Sequence, residues 1–142
     1  MPLTAISQFV GNAIANRRTK QPPMLLAEVP SAFSAKAFAT ASVATFGKSV
    51  ALDHDYVIHI HDHHGGQSEA DRGQEPVNAD DLKAIAENIA EALSVTAGTP
   101  PKAKNGAPRL KVVLEIGPYR YDVVFEVRRR VLVPVTIWKR RK

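Results

Sequence analysis

An α+β domain is what the sequence predicts, with helices first and an antiparallel β-meander last. Two observations predict it. Leu82, Ile85, Ile89 and Leu93 recur at helical spacing behind Asn78, a capping residue, with Asp80 and Asp81 in the positive first turn. From Leu110 the period changes to two: Leu110, Val112, Leu114 and Ile116 alternate with Lys111, Val113 and Glu115, and Gly117-Pro118 leads into a second alternating run. At 142 residues and 44% hydrophobic, the chain can bury one core but not two comfortable ones.

The remaining elements follow in order. Ile6, Phe9, Val10 and Ile14 share a helical face over residues 4 to 18, and Arg17-Arg18 and Gln21-Pro-Pro23 end it; this segment, 1–21, suits a docking arm ahead of a domain at 22–142. Met24 to Val29 is apolar and bounded by prolines, as a short strand should be, and Pro30 opens a helix running to about Ala41. Lys48 to Leu52 reads as a second strand. Asp53 then caps a helix over 54 to 64, on which His59, His61, His63 and His64 ride. Gly65-Gly66 stops that helix, and residues 67 to 77 are polar and aperiodic, predicting an exposed loop. The basic segment Thr99 to Pro108 predicts a hairpin connection between a strand near Ser94 to Ala97 and the meander.

The meander can be registered from pattern alone. Gly117 supplies the positive φ of a two-residue type II′ turn and Pro118 the negative φ that follows, which pairs Ile116 with Tyr119, Leu114 with Tyr121 and Val112 with Val123. A three-residue connection, Arg128 to Arg130, then sets Phe125 opposite Val133 and Val123 opposite Val135. The other face carries Glu115 opposite Arg120, Asp122 opposite Thr136, Trp138 beside Arg120, and Glu126. Cross-strand ion pairing explains Glu115 and Arg120; Thr136 and Trp138 fit a plain solvated face less well. Pro134 cannot donate to the ladder, so the last strand is an edge there or carries a bulge.

Composition narrows the chemistry. With no cysteine, disulfides, thiol catalysis and thiolate-bound zinc are excluded. No stretch approaches a membrane span, and the first residues lack the basic and apolar blocks of a signal peptide. The net charge of +5 gathers toward the C-terminus, in Arg128 to Arg130 and Lys139 to Lys142, with Lys102, Lys104, Arg109 and Lys111 just before. Such a field suits a polyanion, though basic tips and tails also serve solubility. For the histidines three readings stand: a metal pair, with His59 and His63 at i, i+4 and His59-Ile60-His61 resembling an H-x-H motif; ordinary surface residues; or metal-free acid-base catalysis.

The order of Glu28-Val-Pro-Ser-Ala-Phe33, Val50-Ala-Leu52, Ile58-His-Ile60 with His63-His-Gly65, Val77 to Leu82, and a meander ending in Thr136 resembles a known superfamily. It is the phage-associated branch of the barnase, EndoU, colicin and RelE-like nucleases, found as C-terminal toxin domains of MuF-like phage proteins and of polymorphic toxins. The resemblance covers roughly residues 22 to 142. It implies an α+β fold with helices on one face of the sheet, and metal-independent, cofactor-free RNA cleavage in which the 2′-hydroxyl attacks the adjacent phosphorus. By the same resemblance His59 and His64 are the acid-base candidates, with His61 or His63 taking the role if the alignment shifts by a turn. Thr136 would bond the phosphate, Arg120 or Arg128 would neutralise it, and Tyr121 or Glu126 would orient base or substrate. Lys111, Arg129, Arg130, Trp138, Lys139 and Arg140 would contact the nucleic acid. RNA and an immunity or antitoxin protein are the implied partners, and the bacterial cytoplasm the implied place of action. The alternative is a noncatalytic nucleic-acid- or protein-binding module, such as a phage structural component.

Overall fold

A computed structural model describes residues 2–64, without the His64 side chain, and 75–142. The α+β class and the C-terminal meander hold. In chain order the elements are α1 (Leu3–Ala15), β1 (Met24–Glu28), α2 (Ser31–Ala41), β2 (Ser49–Leu52), α3 (His54–His64), α4 (Ala79–Asn88) with a 3-10 turn at Ile89–Glu91, then β3 (Ser94–Lys102), β4 (Pro108–Ile116), β5 (Tyr119–Val127) and β6 (Val131–Arg141). Among the described residues six strands form one sheet in the order β1-β2-β6-β5-β4-β3, with β2 and β6 parallel and the other neighbours antiparallel. The expected loop over 67 to 77 falls mostly outside the described residues.

Local chemistry accounts for the helix starts. Asp53 accepts from the Tyr56 N–H at 3.2 Å and caps α3. Asn78 and Asp81 cap α4 reciprocally: the Asn78 side chain accepts from the Asp81 N–H and the Asp81 carboxylate from the Asn78 N–H. At the end of that helix Leu93 leaves the apolar stripe and is exposed, because the chain has already turned out of α4 by Ile89.

The β4–β5 hairpin has the register its turn dictates, Ile116 opposite Tyr119 through Val112 opposite Val123, with Gly117 at φ 58°. The β5–β6 register differs from expectation. Phe125 lies opposite Pro134, Val124 opposite Thr136, Val123 opposite Ile137 and Asp122 opposite Trp138. The connection is one residue shorter than expected, since the Arg128 N–H donates to the Val131 carbonyl and leaves only Arg129 and Arg130 in the turn. A bulge at Val135 beside Pro134 then slides every later residue of β6 one further along β5.

The core lies between the helices and one face of the sheet, where Leu110, Val112, Leu114, Val123, Phe125 and Ile137 meet Phe33, Ala37, Leu82, Ile85 and Ile89. Helix α1 belongs to this core and is not a detached arm: Ile6, Phe9 and Ala13 are buried in the same cluster. The chain after α1 is also pinned to α3. Arg17 makes a two-pronged pair with Asp62 at 2.7 and 2.9 Å, and buried His54 places Nε2 2.9 Å from the Arg17 carbonyl. Gly11 sits in the interior of α1, and a Cβ added there would meet nothing within 4 Å. Gly11→Ala should therefore stabilise the protein by about 0.5–1 kcal/mol in urea denaturation, by removing backbone freedom from the unfolded chain; a loss of stability would contradict this placement of α1.

Helix α3 takes an unusual position that sets up the site. Strand β2 pairs with β6 only at Val131 and Leu132, and β6 runs on to Arg141. Past the end of β2, α3 packs along β6. Its Val57 and Ile60 join the main core, whereas Tyr56 turns to the other face and packs with Ala51, Val133, Val135 and Val124.

Candidate active site

The face of the sheet away from the main core carries the polar constellation. Arg109 on β4 and Glu126 on β5 are directly opposite, with Val133 of β6 beside them. Glu126 is 1% exposed and holds three partners. Its Oε2 accepts from Arg128 Nε at 2.8 Å, and its Oε1 accepts from the Tyr56 hydroxyl at 3.2 Å and lies 3.6 Å from Arg109 Nη2. Arg109 Nη2 also reaches the Tyr56 oxygen at 3.4 Å, and Arg128 Nη1 donates to Asp53 at 2.9 Å. The network therefore runs from the α3 cap, through Arg128 and Glu126, to Tyr56 and Arg109. Burial works against charge on Arg128, but the hydrogen bonds to Asp53 and Glu126 outweigh it and raise its pKa above the ordinary guanidinium value. Arg128 also stands 5.7 Å from the Tyr56 ring centre.

Arg109 and Glu126 floor a cleft of about 410 Å3, walled by Tyr56 on one side and by the β3–β4 hairpin, with Lys102, Lys104 and Asn105, on the other. Arg128 and Asp53 hold Glu126 and the α3 start from behind and do not line it. Among the described residues Lys102 and Lys104 have no acidic partner, so the cleft keeps net positive charge after Glu126 has neutralised part of the guanidinium pair. The Arg109 Nε is buried without a hydrogen-bond partner.

Tyr56, His59 and His63 are spaced i, i+3, i+7, which places the two histidines on the Tyr56 side of α3, one and two turns beyond the cleft. Their rings lie 4.6 Å apart. His61 is exposed and borders an apolar hollow between α1, α3 and α4. The His64 side chain lies outside the described residues. Among the described residues no group of three or more histidine, cysteine or acidic side chains is arranged to hold a metal ion.

The other expected site residues divide. Glu126 lines the cleft, and Arg128 is bonded to it at 2.8 Å without lining the cleft itself. Thr136 is half-buried on the same face, in the next row with Lys111 and Val124. Arg120 is six residues from Glu126 along β5, about 20 Å at strand spacing, so it cannot serve the same phosphate as Arg128; it lies 3.4 Å from Asp122 instead. Arg129 and Arg130 are exposed at the β5–β6 turn, Trp138 and Arg140 are exposed farther along β6, and Lys111 is exposed on β4.

Tyr121 and Lys139 require correction. They are paired across β5 and β6 on the helix-covered face, where both are buried. Tyr121 donates to Asp81 Oδ1 at 2.6 Å, and Lys139 Nζ lies 3.0 Å from the same carboxylate oxygen. Neither can orient a substrate or meet a phosphate on the open face; they tie the start of α4 to the sheet. Burial first, then the Asp81 hydrogen bond, push the Tyr121 phenol well above its ordinary range. A folded-state pKa above the unfolded value gives stability that is complete below pH of about 10 and lost as pH rises beyond it. Urea midpoints should thus fall between pH 9 and 11, and less steeply in Tyr121→Phe; equal slopes would contradict the assignment.

Sequence reasoning missed Tyr56 as a cleft residue, Asp53 as the Arg128 partner, and the particular role of Arg109, which it had counted only within the basic field. The one available signal was the alternation that puts Arg109 and Glu126 on a common face. Comparison with protein-family models, curated proteins and solved structures gave no match. No helix among the described residues is long and apolar enough to cross a membrane.

Proposed function

We propose that this protein is a metal-independent endoribonuclease, cleaving RNA by attack of a 2′-hydroxyl on the adjacent phosphorus. The observation that carries the reading is the cleft itself: Arg109 beside a buried carboxylate that Arg128 holds from behind, open lysines above them, and a histidine-bearing helix face leading away. In this reading the scissile phosphate sits over Arg109, facing Lys102 and Lys104, while Arg128 holds the Glu126 carboxylate from behind. His59 takes the 2′-hydroxyl proton, the 2′-oxygen bonds to phosphorus, and the 5′-oxygen leaves with a proton from a second acid or water, giving a 2′,3′-cyclic phosphate and a 5′-hydroxyl. Fixed positive charge at the phosphate stabilises the extra negative charge of the pentacoordinate transition state. Thr136 offers a hydroxyl to a non-bridging oxygen.

Glu126 has a different part from the histidine. Both of its oxygens are engaged, so it positions Arg109, Arg128 and Tyr56 and does not act as the base. An active ribonuclease inside a cell needs restraint, so an immunity or antitoxin partner and action in the bacterial cytoplasm belong to the same proposal. A noncatalytic nucleic-acid-binding module is the second reading, favoured by that full engagement of Glu126, which leaves the cleft without an unpaired carboxylate among the described residues. Incubation of purified protein with RNA in excess EDTA separates the two. Cleavage that persists in EDTA supports the first reading, cleavage abolished by EDTA removes the metal-free mechanism, and retention of intact RNA supports the binding module.

A further inference from the structure

The geometry points to a substrate that is single-stranded and longer than a dinucleotide, laid along the open face of the sheet, with Trp138 as a stacking platform for a base beyond the scissile phosphate. This inference rests on the ribonuclease reading of the cleft. Trp138 is paired with Asp122, and Asp122 shares its face of β5 with Glu126, four residues away. At strand spacing that separates the Trp138 row from the cleft floor by about 13 Å. One nucleotide seated in the cleft cannot also cover the indole, whereas a continuing strand can.

The ground between them is suited to a phosphate backbone. Lys111 and Thr136 flank Val124 in the intervening row, and Lys111 is exposed with no acidic partner among the described residues. Beyond Trp138 stands exposed Arg140, opposite Arg120. The acids along this track are already neutralised: Asp122 lies 3.4 Å from Arg120, and Glu115 lies 3.4 Å from Lys142. A backbone running this way meets cations and, among the described residues, no unpaired carboxylate.

Trp138 explains the preference for a single strand. It is 39% exposed, although its neighbours Ile137 and Lys139 on β6 are buried. Stacking on an indole requires a base whose face is free, and bases in a duplex present only their edges. Every base has a π-face to stack, so the platform should tolerate any base.

Trp138 is also the only tryptophan in the chain, so its fluorescence reports the platform directly. A single-stranded hexanucleotide added to the non-cleaving His59→Ala variant should quench that fluorescence, and a mononucleotide or a duplex of the same sequence should not. In cleavage, Trp138→Ala should raise KM for the hexanucleotide at least about fivefold more than KM for a dinucleotide, the loss expected of one stacked base. Trp138→Phe should recover most of it, with melting temperatures confirming that all variants fold. Cleavage without quenching, or equal KM changes for both substrates, would overturn the platform and leave the ribonuclease reading standing. Quenching without cleavage would overturn the ribonuclease reading and retain the track as a binding surface; neither signal would overturn both.

Discussion

Asp81→Asn should lower the stability of this protein by roughly 3–5 kcal/mol, the largest single effect the fold predicts away from its core. Asp81 is 5% exposed and gathers three donors from different parts of the chain: the Tyr121 hydroxyl at 2.6 Å, the Lys139 ammonium at 3.0 Å and the Asn78 N–H at 2.8 Å. Removing its charge leaves the Lys139 ammonium buried without a counterion and weakens the α4 cap at the same time. Adding Lys139→Met to Asp81→Asn should restore much of the loss, because a long apolar side chain fills the space with no charge to desolvate. Urea denaturation of the single and double variants measures both effects. A loss below about 1 kcal/mol for Asp81→Asn would mean that Lys139 escapes to solvent and that the pair is not a fixed part of the fold.

The largest effect on activity should come from His59→Ala, a fall of about two to four orders of magnitude in the cleavage rate with RNA binding nearly unchanged. His59 is one turn of α3 beyond Tyr56, and Tyr56 is fixed to Glu126, so this histidine stands nearest the guanidinium pair along the helix. His63, a further turn away, should matter less. Single-turnover rates for His59→Ala and His63→Ala, with binding measured separately, distinguish the two. A full rate in His59→Ala beside a lost one in His63→Ala would move the chemistry to the far end of the helix and away from Arg109.

What could be read from the sequence divides along contact range. The Gly117-Pro118 hairpin was legible to the residue because its register is fixed by a two-residue turn and by alternation on either side. The β5–β6 register was not, although Pro134 announced an irregularity, because alternation tells neither how many of the three arginines the turn uses nor where a bulge takes up its extra residue. For Tyr121 the apolar pattern already placed it on the core face, and the structure agrees with the pattern and not with the role implied by resemblance. Lys139 was harder to place, since a lysine on the last strand of a basic chain reads as a surface cation until its buried partner is found. The amphipathic stripe of α1 fits an arm or a core helix equally; burial of Ile6, Phe9 and Ala13 decides between them.

The site was half legible. Glu126 and Arg128 lie on strands whose faces can be assigned by counting. Tyr56 is 70 residues from Glu126, and nothing local reveals that α3 takes the place along β6 that β2 leaves empty. That placement turns a capped helix into one wall of a basic cleft, with Asp53 serving both as helix cap and as partner to Arg128.

The central claim is that the cleft cleaves RNA through the 2′-hydroxyl without a metal, and the ends of the products test it most directly. Digestion of a defined RNA in excess EDTA should yield fragments ending in 2′,3′-cyclic phosphate and beginning with 5′-hydroxyl, and a single 2′-deoxy substitution at the cleaved position should block the cut there. Fragments beginning with 5′-phosphate, or equal cleavage at the 2′-deoxy position, would contradict the account.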